Sequence, residues 1–307
     1  MNSLIAIVGP TGVGKSRLAI KLAQNFDGEI VSADSRQLYR YMDIGTAKPS
    51  RQELALVTHH MIDIIYPNES FSLAQYQQMA TNAINGIIRR QKIPFLVGGS
   101  GQYVRAVLEG WGIPRVPPDP DFRRNLEERA AGSGGEELYR ELEQIDPTAA
   151  GRVDRYNTRR VIRALEVARG SDTSTAGYQA GTTQLFRSLV VGLTRDRDEL
   201  YRRIDARVDN MMEQGLVEEV RKLINMGYGL NLPSMSGIGY RQIGMYLEGG
   251  MTLETAVQQI KFESHHFVRQ QYNWFSPKDD RIRWFDMRGR AGDEIAALVA
   301  DFTGIRL

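Results

Sequence analysis

The chain has no cysteine among its 307 residues. Disulfides and thiolate metal sites are therefore excluded. Histidine is scarce as well, with 4 residues in two adjacent doublets, His59-His60 and His265-His266. Neighbours on a strand point to opposite faces, so such doublets make poor metal pairs and suit polar packing better. No apolar run is long enough to cross a bilayer, and no basic-then-apolar leader opens the chain. A cytoplasmic protein without a membrane partner is the expectation. Excess charge is missing too. Lys and Arg number 39 against 37 Asp and Glu, a net of +2. A nucleic-acid partner must then be sought in the distribution of charge, not in its sum. Repeats and low-complexity tracts are absent. What remains, 42% hydrophobic and 25% charged, is the composition of a soluble globular protein with room for one large domain or two smaller ones.

What is present begins at once. Leu4-Ile5-Ala6-Ile7-Val8 reads as a buried strand, and Gly9-Pro10-Thr11-Gly12-Val13-Gly14-Lys15-Ser16 follows it in the pattern G-x-x-x-x-G-K-[ST]. The glycines let successive N–H groups turn into one concavity. Lys15 adds a point charge for phosphates, and the Ser16 hydroxyl can hold Mg²⁺. Arg17 to Phe26 reads as a helix whose positive end faces the anion. A bound diphosphate or triphosphate follows from this loop; ATP in particular does not.

The chain then alternates. Glu29–Ser32 reads as a second strand, ending at Asp34-Ser35, on the same rim as the loop. Asp34 there suits a helix cap as well as chemistry. Met42–Pro49 reads as an ordered loop and His59–Ile64 as a short strand. Phe71–Arg90 carries helical periodicity, and Ile93–Val97 is a buried strand running into Gly98-Gly99-Ser100. The spacing predicts a doubly wound parallel α/β sheet. No acidic residue stands after Val97, where a P-loop ATPase offers one; Asp63 is the only nearby substitute.

Pro114–Pro120 breaks the pattern. Helices are expected at Phe122–Ala131, Glu136–Ile145 and Asn157–Arg169, with no strand, which suggests an insertion. Residues 1–114 and 188–307 would form the core with C-terminal helices, and 115–187 a helical insertion domain. Arg152, Arg155, Arg159, Arg160, Arg163 and Arg169 face few acids. A solvated face or a nucleic-acid backbone explains them equally. Gly170–Gln184 is Ser/Thr/Gly-rich and expected to be mobile. Ser188–Leu193 returns to a strand. Glu199–Met226 reads as one long amphipathic helix, with Arg203 and Arg207 beside its stripe. Thr252–Phe275 reads as another, and Arg281–Phe285 as an edge strand.

Taken together, Gly9–Ser16, Asp34–Tyr39, Met42–Pro49, His59–Asp63, Val97–Tyr103, Arg163–Val167, Gly239-Tyr240-Arg241-Gln242, and Gln271 with Trp274-Phe275 resemble the tRNA dimethylallyltransferases, also called tRNA isopentenyltransferases, in the family's order and over nearly the whole chain. The resemblance implies a P-loop NTPase-like core and a magnesium-dependent transfer. A dimethylallyl group would pass from dimethylallyl diphosphate to N6 of the adenosine immediately 3′ of the anticodon in tRNA. The product would be N6-isopentenyladenosine. The P-loop, built like an ATP site, would hold the donor's diphosphate. The resemblance makes Asp34 the base, with Ser100 (Thr in the family) near the amine and Arg160 and Arg207 on the diphosphate. It places Asp34, Ser35, Arg36, Gln37, Ser100, Arg123, Arg159, Arg160, Arg163, Gly239, Tyr240, Arg241, Gln242 and Arg269 along the tRNA anticodon stem-loop, with the enzyme a monomer.

The chain departs from the family at its last long helix. Arg269-Gln270-Gln271 stands for Lys-Arg-Gln, Ser276 for a basic residue, and His265-His266 for Thr-Arg. Weaker electrostatic binding of tRNA is the expectation. Two other readings share the P-loop: a small-molecule kinase, and a non-catalytic RNA-binding switch ordered by ATP.

Overall fold

The computed structural model describes residues 3–114, 116, 119–133, 135–170 and 185–305. Most of the Ser/Thr/Gly-rich stretch, 171–184, and Arg115, Pro117 and Pro118 of the expected linker lie outside them. The elements run β1 (Ser3–Val8), α1 (Lys15–Asn25), β2 (Gly28–Ala33), α2 (Arg51–Leu56), β3 (His59–His60), α3 (Leu73–Arg89), β4 (Ile93–Gly98) and α4 (Gly101–Glu109). Helices α5 (Pro120–Ser133), α6 (Glu136–Ile145), α7 (Pro147–Ala150) and α8 (Thr158–Gly170) follow. Then come β5 (Arg187–Thr194), α9 (Arg197–Glu213), α10 (Leu216–Asn225), α11 (Tyr240–Leu247), α12 (Leu253–Trp274), β6 (Ile282–Asp286) and α13 (Ala291–Thr303). The chain divides into two compact units, Met1–Leu108 with Leu185–Leu307, and Glu109–Gln184.

The first unit is built on a six-stranded sheet in the order β3-β2-β4-β1-β5-β6. Every neighbouring pair is parallel, with Ile5 opposite Phe95 on one side and Leu189 on the other. A parallel sheet buries both faces, so β1 is apolar from Leu4 to Val8 and its residues part by period two. Ile5 and Ile7 pack with Leu18, Leu22, Ile295 and Val299. Leu4, Ala6 and Val8 pack on the other face with Tyr76, Ile84 and Val104. Each buried Leu, Ile or Val side chain here contributes about 1.5–3 kcal/mol by leaving water. The carboxyl ends of β1, β2 and β4 form one rim, which carries the P-loop, Asp34 and Ser100. Helices α9 to α12 make a further layer around Val208, Met211, Val220, Tyr240 and Ile260.

The second unit has its own core of Leu126, Leu138, Leu142, Val161, Ile162 and Leu165. Its described elements are all helical.

The structure differs from the sequence expectation in several elements. The stretch Glu199–Met226 is two helices, because Gly215 takes φ 95° and turns the chain between α9 and α10. The strand expected at His59–Ile64 stops at His60, since Met61 and Asp63 adopt φ of 63° and 55°. Helices α2, α7 and α13 were not anticipated. The first starts from a capping box in which Ser50 Oγ accepts the Glu53 N–H at 3.2 Å and Glu53 accepts the Ser50 N–H at 2.8 Å.

Candidate active site

The loop after β1 is made by three glycines with positive φ, Gly9 at 138°, Gly12 at 82° and Gly14 at 110°. A side chain at Gly9 would also collide with the Leu193 carbonyl on β5. Helix α1 begins behind Gly14 with no side-chain cap and no acid in its first turn. Its first N–H groups are therefore left for an anion. Gly12 and Gly14 likewise have no backbone partner for their N–H groups. The ammonium of Lys15 folds back over the loop and donates to Gly9 O and Pro10 O, each at 2.9 Å. Two arginines of α9 and its approach brace the outside. Arg203 donates to Gly12 O at 3.0 Å and Arg195 to Val13 O at 3.4 Å.

Burial pushes the Lys15 amine down to about 8; the charge of Asp34 opposes this fall and that of Arg207 adds to it. The Arg207 guanidinium is likewise driven down by burial and held up by Asp34. The three charges thus face one another. Asp34 leaves β2 and accepts the Arg36 N–H on Oδ1 at 2.9 Å. Its Oδ2 has no hydrogen-bond partner among the described residues. Ser100, beyond β4, accepts the Ser35 N–H at 3.0 Å and keeps that turn against the Gly98-Gly99 rim.

Asp34, Ser100 and Arg207 border a cavity of about 300 Å³. Thr11, Asp34, Ser35, Ser100 and Arg207 give it a polar end. Ile204, Val208, Met211, Ile238, Ile260 and Phe267 give it an apolar wall. Among the lining residues Asp34 is the only carboxylate. Such a cavity suits a ligand with an anionic head and a short apolar tail beside a group that gives up a proton. For a metal, the Ser16 hydroxyl is exposed at the start of α1, and no cluster of three or more His, Asp or Glu side chains is present among the described residues. A single hydroxyl together with diphosphate oxygens and water is a donor set that fits Mg²⁺, which takes few protein ligands at such sites.

Other expected residues fall elsewhere. The Arg36 backbone borders the cavity, but its guanidinium donates to Pro233 O at 3.0 Å, Ser234 O at 3.2 Å and Ser236 Oγ at 3.4 Å. It holds the wall formed by Ser236–Gly239 and is not spread toward a ligand. Gln37 accepts from Ser32 Oγ and donates to Thr46 O and Ala47 O. Gly239 lines the cavity, whereas Tyr240 and Gln242 are buried at 1% and 0% exposure. Their side chains turn inward: the Tyr240 hydroxyl donates to Glu219 at 2.6 Å, and Gln242 caps the Gly239 N–H at 2.9 Å. Arg241 pairs with Glu263, and exposed Arg269 reaches Tyr201 Oη at 3.2 Å.

In the second unit, Arg123 and Arg163 are likewise committed. The buried Glu166 carboxylate takes Arg123 at 2.7 Å through both oxygens, Arg163 at 3.1 Å, and the Asp119 N–H at 3.1 Å. Arg159 and Arg160 are exposed, with no guanidinium partner among the described residues.

Two residues escaped the sequence reading of the site. Glu219 accepts the N–H groups of Asp43, Ile44 and Gly45 at 2.9, 2.8 and 3.1 Å, and so fixes the loop that brings Gly45 and Thr46 to the cavity. Nothing in an amphipathic helix marks it. Lys48 is the other: its nearly buried amine ties Tyr39 O, Asp43 and Asp63 at 2.6, 2.7 and 2.6 Å.

Comparison with known proteins identifies the family. A family profile described as IPP transferase matches residues 37–278. A tRNA dimethylallyltransferase of Roseiflexus castenholzii is 54% identical over 275 residues, 90% of each chain. One from Dehalococcoides mccartyi is 46% identical over 299 residues, 97% of this chain and 92% of its own. Among solved structures, the tRNA isopentenylpyrophosphate transferase of Bacillus halodurans superposes with a TM-score of 0.72 at 40% identity, covering 99% of this chain and 96% of that one. A eukaryotic dimethylallyltransferase described as acting on tRNA gives 0.82 at 25% identity, covering all of this chain and 81% of that one. With the profile spanning most of its length, and with relatives this similar from end to end, the chain belongs to the IPP transferase family.

Proposed function

We propose that this chain is a tRNA dimethylallyltransferase, moving a dimethylallyl group from its diphosphate to N6 of the adenosine immediately 3′ of the anticodon. The observation that carries the reading is one cavity lined by Asp34, Arg207 and Thr11 of the P-loop together with an apolar wall, with the Lys15 charge coupled to both Asp34 and Arg207. The P-loop N–H groups and Lys15 bind the diphosphate, and the apolar wall holds the prenyl tail. As the carbon–oxygen bond breaks, charge grows on the leaving diphosphate, and Lys15 and Arg207 stabilise it. As the carbon–nitrogen bond forms, the free Oδ2 of Asp34 takes the proton from N6. Ser100 keeps the turn that aims Asp34. The Ser16 hydroxyl would hold Mg²⁺, which when bound neutralises diphosphate charge.

The adenine must leave the anticodon-loop stack to enter, at a cost of a few kcal/mol. The insertion, expected at 115–187, meets the tRNA through the exposed Arg159 and Arg160. Among the described residues no helix is long and apolar enough to cross a membrane, in keeping with a cytoplasmic enzyme, which we take to act as a monomer. Incubation with unmodified tRNA, Mg²⁺ and dimethylallyl diphosphate should add one prenyl mass to adenosine. Consumption of ATP with RNA left untouched would establish a kinase instead.

A further inference from the structure

Gln271 is buried, 4% exposed, on the inward stripe of α12 with Ala256, Ile260 and Val268. A polar side chain in such a place is retained with its hydrogen bonds made. Its Oε1 accepts the Thr11 N–H at 2.8 Å, and its Nε2 donates to Gly99 O at 3.1 Å. Only one amide orientation satisfies both, because a flip would set donor against donor and acceptor against acceptor. The approach is tight: a Cβ at Gly99 would overlap Nε2.

Thr11 belongs to the diphosphate cradle. Gly99 precedes Ser100, whose hydroxyl holds Ser35 beside Asp34. One side chain therefore joins the loop that grips the leaving group to the turn that carries the base. We infer that Gln271 is a positioning residue that sets the separation of donor and acceptor by spanning Thr11 and Gly99, and not a contact to RNA. The inference rests on the transferase reading for its kinetic consequence, and on geometry alone for its structural one.

Three measurements test it. Hydrogen exchange on the whole protein should show the Thr11 amide protected; free exchange in the unmodified chain would overturn the inference without any variant. Gln271→Met keeps the length and removes both hydrogen bonds. It should deprotect Thr11, weaken binding of inorganic pyrophosphate to the protein alone by about tenfold, and lower kcat by about a hundredfold, the scale of a small misplacement of reacting groups. The KM for tRNA should stay within about twofold. A raised KM for tRNA with an unchanged Thr11 amide would make Gln271 an RNA contact and end the proposal. Gln271→Glu keeps the acceptor and loses the donor, so it should restore Thr11 protection but not kcat. Gly99→Ala should mimic Gln271→Met, and the two changes should be non-additive; additive effects would contradict the link. Absence of prenyl transfer in the unmodified protein would instead fault the function, leaving the exchange and pyrophosphate results to judge the tie.

Discussion

The basic side chains of the two units are used in different ways. At the rim of the sheet, Lys15 and Arg207 face inward on Asp34, where burial pushes both below their usual range. In the helical unit, Arg123 and Arg163 are spent on Glu166, and Arg159 and Arg160 stand exposed. Inward charge in a fixed geometry acts on bonds that break and form. Outward charge on a helix acts on a backbone of phosphates and depends on salt. Charge bound to a buried carboxylate does neither and holds the fold. Sequence position alone does not separate these roles, since Arg159, Arg160 and Arg163 lie within two turns of one helix.

The sharpest way to break the contrast is to remove the rim carboxylate. Asp34→Asn keeps the shape and an acceptor for the Arg36 N–H, and removes the base. Prenyl transfer should fall by about 10²–10⁴ in single-turnover assays. Pyrophosphate affinity should change only a few-fold when measured near pH 6, below the range in which the Lys15 amine of the unsubstituted protein loses its proton. Near-native turnover would remove Asp34 from the chemistry.

In the helical unit the corresponding cut is Glu166→Ala. Two arginines would lose one buried partner. Both reach water, with Arg123 at 39% and Arg163 at 25% side-chain exposure, so the cost should fall below the roughly 3–5 kcal/mol of breaking a fully buried pair. Burial alone would raise the Glu166 carboxyl, but hydrogen bonds from Arg123, the Asp119 N–H and Arg163 outweigh it and hold the group below its usual range. Its contribution is therefore present above the unfolded carboxylate pKa and lost as pH falls through the lower folded one. Urea unfolding of the whole chain at pH 7 should show the loss, and the difference from the unsubstituted protein should shrink on acidification. A variant as stable as the parent would mean that Arg123 and Arg163 are free to serve RNA.

The contrast also explains what the sequence disclosed. The P-loop was legible because its chemistry is local: strand, glycine-rich turn and helix start follow one another. The parallel sheet was legible because strands buried on both faces leave apolar runs. Asp34 could be placed on the right rim by topology. Glu219, Lys48 and the tie made by Gln271 were not legible, because each acts on backbone far away in the chain and looks ordinary among its neighbours. Tyr240 reads as a surface aromatic until Glu219 and Gly45 close around it; a Cβ at Gly45 would meet its ring. The break at Gly215 was hidden by an apolar stripe that continues from Met211 to Val220 across the turn.

A smaller effect sharpens the inward half of the comparison. With its amine at about 8 in the free protein, Lys15 is charged below that pH and neutral above it. Pyrophosphate affinity should be flat toward pH 6 and fall by up to about tenfold per pH unit above 8, where one proton must be taken up for each anion bound. The bound anion raises the amine's pKa, so calorimetry in buffers of different ionisation heat should detect that uptake. Lys15→Arg should bind anions without this slope between pH 7 and 9. A flat profile in the unsubstituted protein would show the amine already protonated by its surroundings.

The smallest effect belongs to the exposed arginines. Arg160→Ala should weaken tRNA binding and reduce the slope of log affinity against log salt by about 0.7–0.9, the share of one phosphate contact. Arg159→Ala should act alike, and neither should change unfolding in urea. Arg123→Ala should do the reverse, lowering stability by removing the two hydrogen bonds it makes to the buried Glu166 carboxylate, with little change in salt slope. The whole chain should also show a shallower slope than a relative that keeps Lys-Arg-Gln before its Trp-Phe, since Arg269-Gln270-Gln271 carries one charge fewer. If Arg123→Ala lowered the salt slope as much as Arg160→Ala, the ion pair to Glu166 would have to open when RNA arrives, and the division between binding charge and structural charge would fail in this unit.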